Sequence, residues 1–124
     1  MNKSQFAGLE KMDKELRNFY KSYIHRKAAD ISFGLKLLAV KEGLPPRASF
    51  TRWVNSRYSG SLSITKARKH LRMARRFLSS REGSIYFALT PGQLLHAVHT
   101  EDSLARAILA YVKRQPLMKV KQLD

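Results

Sequence analysis

A chain of 124 residues with 24 Lys and Arg against 9 Asp and Glu carries a formal charge of +15 at pH 7. This length suits one compact unit, and 44% hydrophobic residues supply enough apolar side chain to offset the entropy lost on folding, which excludes wholesale disorder. The absence of cysteine excludes disulfides, thiolate zinc sites and iron–sulfur clusters, and the charged N-terminus and short apolar runs predict neither a signal peptide nor a membrane span, so a cytoplasmic protein is expected.

From the N-terminus the apolar residues recur as Phe6, Leu9, Met12, Leu16, Phe19, Tyr20, Tyr23 and Ile24. Spacings of three and four predict an amphipathic helix over residues 4–28, and the 9, 16, 23 spacing fits a short heptad seam for a dimer. Ile31, Leu35, Leu38 and Ala39 form a second helical pattern that ends at Gly43, with Pro45 and Pro46 just beyond. Asp30 and Ser32 leave open whether the two patterns are separate helices. Phe50, Trp53 and Val54 predict a short helix over 48–57, Ser59, Gly60 and Ser61 a tight turn, and residues 63–78 a stronger helix. After the breaker run 79–83, the segment SIYFAL is read as a short helix in preference to a strand. Thr90 before Pro91 predicts a helix N-cap, and Thr100 before Glu101 and Asp102 predicts another, opening a last helix over 101–115. The predicted fold class is all-α. A compact helical domain containing a helix-turn-helix spans 29–115, preceded by the amphipathic helix over 1–28 and followed by a basic tail over 116–124.

A positive field of this size favours a polyanionic partner, nucleic acid first. The charge is also regional. Residues 43–81 contain no Asp or Glu, yet they hold Arg47, Arg52, Arg57, Lys66, Arg68, Lys69, Arg72, Arg75, Arg76 and Arg81. Two short helices joined by a Gly-containing turn, the second one basic, have the outline of a helix-turn-helix. At about 100° per residue, Ile64, Ala67, Leu71, Ala74 and Leu78 share one narrow face, which is expected to pack on Trp53, Val54 and the preceding helix. The opposite face is centred on Thr65, Lys69, Arg72 and Arg76, with Lys66, Arg68 and Arg75 on its flanks. A helix in the major groove reads base edges chiefly through its N-terminal residues. Thr65, Lys66, Lys69 and Arg72 are therefore the candidate base readers, and Arg52, Arg57, Arg68, Arg75 and Arg76 the candidate phosphate contacts. A basic amphipathic helix can be a solvated face and nothing more; the acid-free span, the preceding short helix and the Ser-rich turn favour DNA.

The run from Gly34 to Phe77 resembles a group of phage and plasmid proteins that share an uncharacterised domain. The residues that carry the resemblance are Leu37, Leu38, Ala39, Lys41, Glu42, Phe50, Trp53, Val54, Ser63, Ala67, Arg72 and Ala74. It implies a helix-turn-helix in a mobile-element protein, with a regulatory or DNA-maintenance role. Two departures stand out. Arg47, Ala48 and Ser49 occupy the place where the group tends to have Gly before the Phe, and Arg75 stands where an acid often follows the final Ala, making this helix more cationic.

Neither an enzyme nor a cofactor is expected. His96 and His99 stand i, i+3 and could pinch a metal, but with His25 and His70 elsewhere no further ligand cluster supports them. Asp30, Glu42 and Glu82 are isolated, which disfavours a two-metal nuclease site. Phe50, Trp53, Phe77, Tyr86 and Phe87 could be base-stacking platforms, though helical spacing assigns Phe50, Trp53 and Phe77 to the core. The reading is a sequence-specific duplex DNA-binding protein, a homodimer, acting in transcription regulation or segregation of a plasmid or phage. The alternatives are RNA binding, disfavoured because no exposed sheet with alternating aromatic and basic residues is evident, and a small basic protein that grips an acidic partner.

Overall fold

The helical spacing that begins near the N-terminus does not stop at residue 28. In the computed structural model, which describes residues 3–115 with side chains from Glu10 onward, one helix, α1, runs unbroken over Lys3–Gly43. Asp30 and Ser32 each cost a helix only several tenths of a kcal/mol, about 0.5, relative to alanine. Against that, Ile31, Leu35, Leu37, Leu38 and Ala39 are all buried. Burial outweighs local propensity here, and neither Pro nor Gly interrupts the chain between Gly8 and Gly34. Leu37 lies off the predicted stripe, yet it is buried because α1 is covered on several sides by three later helices.

Those helices follow in the order α2 (Phe50–Tyr58), α3 (Ile64–Leu78), a 3-10 turn (Ser84–Tyr86), α4 (Pro91–Thr100) and α5 (Asp102–Arg114). The described residues contain no strand, so the all-α expectation holds and SIYFAL resolves to a single tight helical turn. α1 is the spine against which α3, α4 and α5 pack. The core joins its Leu35, Leu37 and Leu38 to Val54, Leu71, Phe77, Leu94, Leu104 and Ile108.

Local signals set most helix starts. Ser49 accepts from the Arg52 amide at 3.3 Å, and Ser63 accepts from the Lys66 amide at 3.1 Å, so α2 and α3 both open on a serine cap. Thr90 and Gln93 exchange reciprocal bonds of 3.0 and 3.2 Å, a capping box with Pro91 in the first turn. The expected cap at Thr100 is not formed. Thr100 is the last residue of α4 and its hydroxyl donates to the His96 carbonyl at 2.8 Å, while Glu101, in extended conformation, is the hinge into α5.

The crossing of α1 and α3 is built on Gly34. A Cβ there would overlap the His70 carbonyl, so only glycine lets the two backbones meet at this depth. Ala74 lies opposite, the His70 ring meets Phe33 edge-on with centroids 5.0 Å apart, and His70 Nδ1 donates to the Asp30 carbonyl at 3.1 Å. N-terminal to this crossing the helix leaves the core, and every residue from Glu10 to Phe19 is exposed. The basic tail expected over 116–124 lies outside the described residues, as do the side chains of Phe6 and Leu9. No described helix is long and apolar enough to cross a membrane.

Candidate nucleic-acid interface

α3 divides its two faces as its sequence dictates. Ala67, Leu71, Ala74, Phe77 and Leu78 are buried, while Thr65, Lys66, Arg68, Lys69, Arg72, Arg75 and Arg76 are all exposed. The buried face packs chiefly on α1 and less on α2, which differs from the expected arrangement. Val54 is the α2 residue that is fully buried; Trp53 is half-buried, stacked on Phe50 at 6.2 Å and edge-on to Tyr58 at 6.0 Å. The α2 side chain that seals the core is thus the smaller one. Arg52 and Arg57 are exposed on α2.

α2 and α3 are separated by a left-handed turn. Ser59 has φ 36° and Gly60 φ 91°, and the Ser61 hydroxyl donates back to the Tyr58 carbonyl at 2.6 Å. The turn leaves the N-cap Ser63, and Thr65 and Lys66 of the first turn of α3, open to solvent.

The cations of α2 and α3 have no acidic partner among the described residues. The ion pairs found there join Arg17 to Asp13, and Arg81 and Arg114 to Glu82. Within α3, Arg68 and Arg72, and Arg72 and Arg76, stand four apart, and such like-charge pairs cost an isolated helix about 0.2–0.5 kcal/mol each. Arg75 and Arg76 recover part of that by lying in the last turn, where cations complement the helix dipole. A polyanion lying along the face would relieve the remaining repulsion.

Lys69 and Arg76 also line a groove of about 310 Å³ between α1, α3 and α5. Across it stand Lys27 and Tyr23 of α1 and Tyr111 of α5, with the Lys27 ammonium 5.8 Å from the Tyr23 ring centroid. Thr65, Arg68 and Arg72 are not part of this groove. Three cations from two helices therefore converge at one edge of the basic face. Lys27 escaped sequence reasoning because it lies far from the acid-free span in the chain, and only the fold brings it beside Lys69.

The other chemical candidates are dispersed. His96 and His99 are exposed on α4, His25 is exposed on α1, and among the described residues no three His, Asp or Glu side chains come together. Phe77 and Tyr86 are buried, whereas Phe87 is 70% exposed beside Ile85 at 75%. Glu82 lies four residues beyond the end of α3. The Arg114 guanidinium grips it with two bonds of 2.7 Å, which holds its carboxyl at about 2, below the usual 4.5.

No family model matches the chain, and neither does any curated protein or solved structure.

Proposed function

We propose that this protein binds duplex DNA through the outward face of α3, with α2, the turn and α3 acting as a helix-turn-helix. The observation that carries this reading is the solvent-facing row of Thr65, Lys66, Arg68, Lys69, Arg72, Arg75 and Arg76, none of them with an acidic partner among the described residues. α3 extends about 22 Å, and Thr65 and Lys66 are exposed at its N-terminal turn, the end that reads base edges when a helix enters the major groove. Thr65, Lys66, Lys69 and Arg72 serve as base readers. Arg52, Arg57, Arg68, Arg75 and Arg76 hold phosphates, joined by Lys27 across the groove. A regulator or segregation factor of a plasmid or phage is the role that fits.

The test is fluorescence anisotropy with a duplex selected from random sequence and with an unrelated duplex. Lys69→Ala or Thr65→Ala is expected to weaken the selected duplex by about 1–3 kcal/mol and to leave the unrelated one nearly unchanged. Arg76→Ala or Arg52→Ala is expected to weaken both alike. Tighter binding to single-stranded RNA than to any duplex would transfer the same face to the RNA reading.

A further inference from the structure

The face of α1 that packs on α3 does not end where the core ends. Met12, Leu16 and Phe19 continue it toward the N-terminus, and they are 59, 64 and 62% exposed. With Tyr23, which packs on the edge of the core, they follow at intervals of four, three and four, and the register extends in sequence to Leu9. Residues 9–23 thus alternate steps of three and four, the a and d positions of a heptad. A single exposed apolar residue is ordinary, but a seam of large ones on a helix that projects about 25 Å from the body, over residues 3–19, is not.

We propose that this projecting half of α1 pairs with the same segment of a second copy to make a homodimer. Charge selects that occupant. The polar flank of the seam mixes Glu10, Asp13 and Glu15 with Lys11, Lys14, Arg17 and Lys21, and Asp13 already pairs with Arg17 at 2.7 Å. A helix that lies on anionic lipid displays an unmixed cationic flank, whereas both signs on one surface complement that surface itself. The rest of the molecule is strongly positive and repels a copy, so the near-balanced arm is where two chains approach at least electrostatic cost. Two helices of about 20 residues packed along such a seam bury on the order of 1,000 Å², the lower bound of a stable interface.

Sedimentation velocity of the full chain without nucleic acid tests this, so its outcome is independent of the DNA reading. Wild type is expected at twice the chain mass, Leu16→Glu at the mass of one chain, and Asn18→Glu, the same charge change on the opposite side of α1, at twice the mass. Because Leu16 is exposed, Leu16→Glu is expected to keep the helical content and melting temperature of the dissociated wild type. A monomeric wild type overturns the proposal, including one that binds vesicles of anionic phospholipid, which would give the seam to a membrane surface. A dimer that survives Leu16→Glu overturns it as well.

Discussion

Gly34 shows how one position without a side chain sets the distance between the spine and the basic helix. In mid-helix a glycine costs roughly 0.5–1 kcal/mol against alanine, yet here alanine would drive its methyl into the His70 carbonyl. Gly34→Ala is therefore expected to destabilise the fold by about 3 kcal/mol, the upper range of overpacking, when helix propensity alone predicts a gain. Urea unfolding followed by circular dichroism decides between the two signs. Trp53 gives the opposite lesson. Its helical spacing with Phe50 and Val54 marks an apolar face and assigns it to the core between α2 and α3. It is half-buried on a ledge with Phe50 and Tyr58, so Trp53→Ala is expected to cost about 2 kcal/mol, less than the 3–5 kcal/mol of a fully buried aromatic. The same unfolding experiment reads that difference, and a loss near 5 kcal/mol would place the indole in the core.

Helix starts were legible where a side chain states them locally. Ser63 before α3 and Thr90 before Pro91 are caps whose bonding partners lie three residues away, within reach of any sequence reading. The continuity of α1 was not legible, because it depends on α3, α4 and α5 burying Ile31 to Ala39, and no local window contains those partners. Thr100 failed as a cap for a related reason: its hydroxyl finds the His96 carbonyl one turn back, and the chain turns at Glu101 instead. The faces of α3 followed from periodicity, whereas Lys27 entered the basic face only through packing. Beyond α3, Glu82 and Arg114 tie the segment after that helix to the end of α5, and the pair has a consequence for pH. The folded carboxyl titrates at about 2 against an ordinary 4.5, so between those values the unfolded chain holds more protons than the folded one. The stabilisation is complete above 4.5 and is lost as pH falls toward 2. Glu82→Gln is expected to lower the melting temperature at neutral pH and to converge with wild type in strong acid. Parallel melting curves of the two proteins across that range would contradict the pairing.

The charge of the whole molecule acts on folding and on binding in opposite directions. A formal +15 on 124 residues, with the cations of α2 and α3 unpaired among the described residues, makes the free protein repel itself. Salt shortens the reach of that repulsion, to about 8 Å at physiological ionic strength, so adding sodium chloride is expected to raise the melting temperature of the free protein. The same salt competes with the protein for DNA, because each phosphate neutralised releases a condensed cation and contributes about −0.9 to the slope of log K against log salt. If Lys27, Arg52, Arg57, Arg68, Arg75 and Arg76 each neutralise one phosphate, the slope is about −5.4. Arg76→Ala is then expected to flatten it by about 1. Anisotropy titrations and thermal melts over one salt series test both limbs on the same samples. A protein gripped by shape or apolar contact alone would show a flat binding limb. A melting temperature that falls with salt would mean that ion pairs such as Glu82 with Arg114 outweigh the repulsion, and the basic face would then carry no strain for DNA to relieve.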